Sequence, residues 1–269
     1  MITQHNYTMA DAPTLSERER LRVLAEIHDP QTVRLLDRIG VAPGSRCLEV
    51  GPGDGSIVRV LAERVGPAGN VVAADVAEGL MGELPRNVEF LLCDARADDL
   101  GGPYDLVHVR HLLLHLPERE LILSRLCAVL RPGGTVLVEE YFFPWEADTA
   151  AATGTGDPAG AAAYVQLMTG FLDAAGADRL WAQRLPMRLT EEGLVEVSAD
   201  GWFPPTTGAH EAVLPIRDGL IAATPKLRSA GLLDIDDETV ARGIEFASNS
   251  TTMFLPYLLV SAWGRRPRQ

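Results

Sequence analysis

Cysteine is scarce in this chain. Cys47, Cys93 and Cys127 are the only three in 269 residues, far apart and without a C-x-x-C pair. That excludes a disulfide frame and a thiolate zinc site, and the three read as small buried hydrophobes in a reduced compartment. Basic residues are also few, 24 against 37 acids, for a net charge of −13. Such a field repels a polyphosphate backbone, which argues against DNA or RNA as the main partner. The cluster Arg265, Arg266 and Arg268 is too short to reverse that. The N-terminus lacks the basic start and apolar core of a signal peptide, and no apolar run reaches the length of a membrane span. A soluble, cytoplasmic protein with no membrane partner is therefore expected. No internal repeat is visible.

What is present is a 46% hydrophobic chain long enough for one large domain, or a core with a substantial cap. Its most informative stretch is C-L-E-V-G-P-G-D-G-S, Cys47 to Ser56. An apolar run with an acid, Glu49, leads into Gly51, Gly53 and Gly55 at alternate positions, and a helix-like run from Ile57 follows. Strand, tight glycine turn and helix start form the element that wraps a nucleotide-like cofactor in a doubly wound α/β sheet. Bare backbone lets a ligand approach closely and allows positive φ where the chain reverses. Dinucleotide sites want G-x-G-x-x-G; here the series is G-x-G-x-G and position 56 is Ser.

Hydrophobic spacing predicts the remaining elements. Ser16 to Ile39 is amphipathic and helical, and Asp29-Pro30 is expected to break it in two. Strands are expected over Arg46–Val50, Asn70–Ala74 ending in Asp75, Val88–Cys93 ending in Asp94, Tyr104–Val109 leading to Arg110-His111, and Thr135–Phe143. Helices are expected after the glycine turn to about Val65 and over Leu121–Leu130, with a turn at Arg131–Gly134. The alternation predicts a Rossmann-like, doubly wound and mostly parallel seven-stranded sheet with helices on both faces. Ligands in such sheets lie beyond the carboxyl ends of the strands, so Glu49, Asp75, Asp94, Arg110 and Glu139 to Tyr141 converge on one rim. Beyond Phe143 the chain reads as a loop over Asp148–Gly160, a helix over Ala161–Ala175 and a strand within Gly193–Phe203. Helical pieces broken by Pro215 and Pro225 follow over Ala212–Phe246, then a last strand over Thr252–Trp263. Three regions result: residues 1–40, helical and covering the cofactor site; 41–143, the cofactor-binding half of the core; and 144–269, the rest of the sheet with a mainly helical cap.

The form E-V-G-x-G-x-G resembles the first signature of class I S-adenosylmethionine-dependent methyltransferases. Further landmarks follow in family order. Asp75 ends the second strand some twenty residues past the turn, F-L-L-C-D-A spans Phe90 to Ala95, Y-D-L-V-H spans Tyr104 to His108, and L-R-P-G-G ends at Gly134. The resemblance implies S-adenosyl-L-methionine as cofactor and S-adenosyl-L-homocysteine as product. Glu49 would sit near the cofactor's cationic end, with Gly51, Gly53, Asp54 and Gly55 along its methionine and ribose. Asp75 and Val76 would meet the ribose, Asp94 and Ala95 the adenine, and Arg110 the same rim. A carboxylate with two oxygens can accept both ribose hydroxyls, and a cofactor without phosphates tolerates acids around it. Asp75 and Asp94 can also be read as helix caps, and Asp105 reads as a structural hydrogen bonder.

Methyl transfer is an in-line displacement, so positioning carries much of the catalysis and a base is needed only when the acceptor must lose a proton. His111 and His115 are the candidates, an i, i+4 pair that would share a face on a helix. No further ligands make a zinc site of them. Tyr141, Trp145, Tyr164, Met168, Trp202, Asn249 and Phe254 are candidates for the acceptor pocket, although aromatic and Met stripes at helical spacing also build ordinary cores. The resemblance implies a medium-sized metabolite as acceptor, as in bacterial secondary metabolism, with quinone C-methylation within the same family. Cyclisation or rearrangement with the cofactor bound but not consumed is the alternative. A nucleic-acid or protein methyltransferase and a nicotinamide-dependent dehydrogenase fit less well. Apolar surface on the terminal helices is compatible with a homodimer.

Overall fold

The computed structural model describes residues 17–77, 80–143, 156–204, 206–207, 213–249, 251, 253–254 and 257–268, with 206–207 and 253–254 as backbone only. They fall into two compact units. The sheet unit comprises His28–Phe142, Leu180–Trp202 and the chain from Leu259 onward; the helical unit comprises residues through Ile27, Phe143–Arg179 and Phe203–Leu258.

In the sheet unit, strands β1 (Arg46–Val50), β2 (Asn70–Asp75), β3 (Val88–Leu92), β4 (Tyr104–Arg110), β5 (Leu130–Phe142), β6 (Val195–Trp202) and β9 (Leu258–Arg265) form one sheet in the order β3-β2-β1-β4-β5-β9-β6. The pairs from β3 to β5 are parallel, and β6 runs antiparallel to β9. Gly134 meets Arg266 and Glu139 meets Ser261, so β9 also runs antiparallel to β5. The expected mostly parallel, seven-stranded Rossmann-like sheet is what the chain forms. Between β1 and β4 the strand order reverses, and the crevice at such a switch point is where ligands bind.

The central strands are apolar because both faces are covered. Cys47, Leu106 and Leu137 of the sheet pack with Leu35 and Leu36 of helix α1 (Glu17–Ile39) and with Ile57, Val58, Leu61 and Val65 of α2 (Ser56–Val65). That spacing in α2 puts one face on the sheet. Helices α3 (Arg119–Ala128) and α5 (Trp181–Glu191) are joined by an Arg188–Glu120 ion pair of 2.8 Å. Cys47, Cys93 and Cys127 are free and buried, as expected.

The helical unit holds α4 (Pro158–Ala174), α6 (Leu214–Ser229), α7 (Asp237–Ser248) and a two-stranded ribbon of β7 (Thr206–Thr207) and β8 (Met253–Phe254). Asp157 and Asp236 cap α4 and α7 through Gly160 N at 2.9 Å and Thr239 N at 2.7 Å. A Cβ at Gly243 would lie 3.1 Å from Ala163 O, so α4 and α7 meet backbone to backbone there.

Several boundaries differ from the sequence expectation. Pro30 lies inside a continuous α1 and does not break it. The helix is held on its C-terminal side by Asp29 and Thr32, whose side chains bond to the sheet. Pro225 likewise lies inside α6, Pro215 opens that helix, and the break comes instead near Gly231 (φ +70). Proline at the first turn forfeits no helical bond. Helix α5 has no counterpart in the expectation, since Pro186 within it obscures its period. Strand β5 runs through the expected Arg131–Gly134 turn. Of the expected last strand, Met253–Phe254 belong to the ribbon and Leu258–Arg265 to the main sheet, while 252 and 255–256 lie outside the described residues.

Candidate functional site

The glycine turn leaves β1 at the switch point with every glycine left-handed: φ is +67 at Gly51, +58 at Gly53 and +79 at Gly55. Gly51 N donates to Ala74 O at 2.9 Å, which ties the turn to β2. A Cβ on Gly51 would sit 3.2 Å from Leu112 Cδ2, and one on Gly55 would sit 3.0 Å from Met81 Cγ. The left-handed torsion favours glycine at both positions, and a Cβ at either would press on a side chain that must give way. Asp54 Oδ1 accepts Ser56 N at 3.1 Å, a local turn at the start of α2.

The two expected strand-end acids differ in their commitments. Asp75 is half-buried at the end of β2 and Oδ1 accepts Ala77 N at 3.2 Å; burial pushes its carboxyl above the ordinary range. Val76 beside it is exposed. Asp94 is gripped by Arg96, with Nε 2.9 Å from Oδ1 and Nη2 2.7 Å from Oδ2, and Oδ1 also accepts Arg96 N at 3.0 Å. A ligand amine at Asp94 would have to share those oxygens with Arg96, while Ala95 is buried.

Under the rim lies a charged network that the sequence reading only partly anticipated. Glu49 stands opposite His108 in the β1–β4 register. His108 Nδ1 lies 2.6 Å from Glu49 Oε2, and its Nε2 lies 3.0 Å from Glu139 Oε2. Thr32 and Ser261 each donate a hydroxyl to Glu139 at 2.6 Å. Arg110 is spent on α1, with Nη2 donating to Asp29 at 2.8 Å and Nη1 to Thr32 at 2.8 Å; Ser56 also reaches Asp29 at 3.1 Å. His108 and Glu139 are fully buried. Burial opposes charge on His108, but the Glu49 and Glu139 carboxylates outweigh it and raise its pKa to about 9. Glu139 is likewise penalised by burial, yet His108, Arg110 and Ser261 bring it down to about 2. The available signal was a histidine in an otherwise apolar buried strand, which must find partners.

His111 follows β4 at φ +54, a torsion that is strained for a non-glycine residue. Its ring stacks on Tyr141 (centroids 3.8 Å apart, planes 8° off parallel) and meets His28 edge-on at 4.7 Å. His28 in turn lies 6.1 Å from Trp202. Both ring nitrogens of His111 are buried, with no hydrogen-bond partner among the described residues. Burial first, then the neighbouring His28 and Arg110 charges, hold its pKa well below the ordinary value. The expected helical pairing with His115 does not occur. Residues Leu113–His115 form a single 3-10 turn after the left-handed His111, so the two rings do not share a helix face. Glu140 supports that turn, with Oε1 accepting Leu113 N at 2.7 Å and Leu112 N at 3.2 Å.

The acceptor candidates are divided between the units. Tyr141 and Trp202 belong to the sheet unit and join the His111 cluster. Tyr164 and Met168 are buried in α4 of the helical unit, with Tyr164 6.0 Å from Phe246. Asn249 is exposed, and its side-chain oxygen accepts Thr251 N at 3.0 Å and Thr251 Oγ1 at 2.8 Å. Trp145 lies outside the described residues, as does the side chain of Phe254.

The residues present fit S-adenosylmethionine. A bare left-handed turn is flanked by Glu49 and Asp75, acceptors suited to hydroxyl and cationic donors and unsuited to a pyrophosphate. Among the described residues no group of side chains could hold a metal ion, and no helix is long and apolar enough to cross a membrane.

Residues 18–193 match the pattern that defines the methyltransferase domain. The ubiquinone/menaquinone biosynthesis C-methyltransferase UbiE of Ectopseudomonas mendocina is 30% identical over 188 residues, covering 62% of this chain and 68% of that one. Among solved structures, a phosphoethanolamine N-methyltransferase of Haemonchus contortus with S-adenosylhomocysteine superposes with a TM-score of 0.61 at 15% identity. That match covers 97% of this chain, which spans 59% of the longer neighbour. The [4+2]-cyclase SpnF superposes with a TM-score of 0.52 at 18% identity, covering 90% of this chain and 81% of its own. At such identities the two structures speak to fold alone.

Proposed function

The chain belongs to the class I S-adenosylmethionine-dependent methyltransferases, and we propose that it methylates an O, N or C atom of a medium-sized small-molecule metabolite. The observation that carries this reading is the left-handed glycine turn at the switch point, with Glu49 and Asp75 at the strand ends beside it. When bound, S-adenosylmethionine supplies a methyl group on a positively charged sulfur. The chain contributes chiefly by positioning, which is worth most when the reacting atoms are held in line. Asp75 would receive the ribose hydroxyls, Glu49 would face the cationic end, and Asp94 would exchange part of its Arg96 contact for the adenine amine.

His111 is the base this reading assigns to the acceptor. It is neutral, its ring is fixed by Tyr141 and His28, and its nitrogens have no hydrogen-bond partner among the described residues. A neutral imidazole can take the proton from an acceptor hydroxyl or amine as the new bond to carbon forms. The likeness to a quinone C-methyltransferase supports an electron-rich ring carbon as one acceptor class; deprotonating a ring hydroxyl would activate such a carbon by the same route.

The test is calorimetric titration with S-adenosylmethionine and S-adenosylhomocysteine, followed by incubation with a panel of quinols, phenols and amines. Micromolar binding of both and a mass gain of one methyl with release of S-adenosylhomocysteine is expected. Conversion of an acceptor with the cofactor unconsumed would establish the cyclisation or rearrangement reading instead. A folded chain that binds neither ligand would sink both.

A further inference from the structure

The Glu49–His108–Glu139 network does more than fill the space beneath the rim. We propose that His108 is a positioning residue for cofactor binding: it fixes the Glu49 carboxylate toward the amino-acid end of the cofactor, and Thr32 of α1 completes the relay through Glu139. The proposal rests on the assignment of the glycine turn to S-adenosylmethionine and goes beyond it, because it gives a role to residues on α1, β4 and β5, outside that turn.

The strand register supports this role. Glu49 and His108 are direct neighbours on parallel strands, so their side chains leave the same face of the sheet. Glu139 is two residues beyond the strand partner of His108, Leu137, and so shares that face. The imidazole therefore spans β1 to β5 and meets one carboxylate at each ring nitrogen, at 2.6 and 3.0 Å. A neutral imidazole has one N–H and could satisfy only one of them; the imidazolium donates to both. The positive ring thus lets two carboxylates coexist in a dry interior, and neither can turn away without losing its counter-charge.

The oxygens of the two carboxylates divide the labour. Both oxygens of Glu139 are engaged, with Oε1 taking Ser261 and Oε2 taking both His108 and Thr32. Glu49 is not saturated: Oε2 is held by His108, while Oε1 takes no hydrogen bond among the described residues. Two residues before Gly51, that oxygen is the one left to meet a donor on a ligand in the turn. An ammonium is the donor such an oxygen selects, and the amino-acid moiety of the cofactor carries one. At the far end of the relay, Thr32 also receives Arg110 at 2.8 Å, so the seating of α1 and the placement of Glu49 share one chain of bonds.

The experiment compares two ligands that differ only in the amino-acid part. S-adenosylhomocysteine carries it; 5′-methylthioadenosine keeps the nucleoside and the sulfur but lacks it. Both are titrated calorimetrically into the full chain and into His108→Gln and Thr32→Val. Each variant should lose about tenfold or more in affinity for S-adenosylhomocysteine, as expected for a misplaced charge-assisted hydrogen bond. Affinity for methylthioadenosine should stay within about twofold, since it makes no use of that bond. Equal losses for both ligands would mark the network as purely structural and overturn the proposal, as would no loss for either. Thr32→Val keeps the side-chain shape and decides the matter if His108→Gln does not fold. A wild-type chain that binds neither ligand would overturn the cofactor assignment and the relay with it.

Discussion

The His111 imidazole lies flat on the Tyr141 ring, 3.8 Å between centroids, while its own backbone is held at φ +54. Strain and stacking together give the ring one orientation. His111→Ala is expected to lower turnover by roughly 10²-fold or more, the usual contribution of a positioned base, and to leave S-adenosylhomocysteine affinity nearly unchanged. His111→Phe keeps the stack and removes both nitrogens, so it should lose the same turnover with less effect on stability. Steady-state rates set beside thermal unfolding separate the two. Full activity in the Phe variant would reduce His111 to a packing residue.

Among the described residues, the hydrogen-bond partners of the Asp75 carboxylate are backbone amides of its own turn. Asp75→Ala should weaken S-adenosylhomocysteine binding by about 1.5–3 kcal/mol, the range for hydrogen bonds to a charged group, with the unfolding midpoint little changed. Calorimetry on the variant provides the check. Unaltered affinity would remove Asp75 from the ribose site.

Gly51→Ala places a methyl group 3.2 Å from Leu112 Cδ2 at φ +67. The torsion alone costs about 1–2 kcal/mol, and the Leu112 side chain must give by a few tenths of an ångström to relieve the contact. Both stability and cofactor affinity should fall, whereas Gly193→Ala, at φ +78 with no atom within 4 Å, should cost stability alone. Comparable affinity losses in the two variants would deny the turn its role in binding.

Two buried groups set the pH dependence in the same direction. His108 rises from 6.5 to about 9 on folding and Glu140 from 4.5 to about 8. Between its two values each group keeps a proton in the folded chain that the unfolded chain releases, so stability falls as pH rises. The His108 contribution is complete below pH 6.5 and lost through about pH 9. The Glu140 contribution is complete below 4.5 and lost through about 8. Urea midpoints should therefore decline between pH 6.5 and 9. Glu140→Gln retains a carbonyl for Leu112 N and Leu113 N and should leave only the His108 share, a shallower decline that starts near pH 6.5 and not near 4.5. A wild-type midpoint that is level across this range would contradict both assignments.

The sequence by itself determined the class of fold and the place of its turn. Strand β1 was legible residue for residue, because an apolar run ending in glycines has one physical reading. The strands that follow, each apolar and closed by a polar residue, dictated a buried parallel sheet. Glu49, Asp75 and Asp94 stood out as acids where apolar runs stop. What tertiary structure alone decided was which of these groups are already engaged. Glu49 and His108 are 59 residues apart, and Thr32 and Glu139 are 107 apart. No local period encodes such pairings; they follow from strand register and from the way α1 packs on the sheet. The same bonds carry α1 through Pro30, where local preference expected a break. His111 and His115 shared a helix face only on paper, since the left-handed torsion at His111 is imposed by its stack on Tyr141 and by the Glu140 bonds to the next two amides. Periodicity reports which residues are buried; only the assembled sheet settles what a buried charge is paired with.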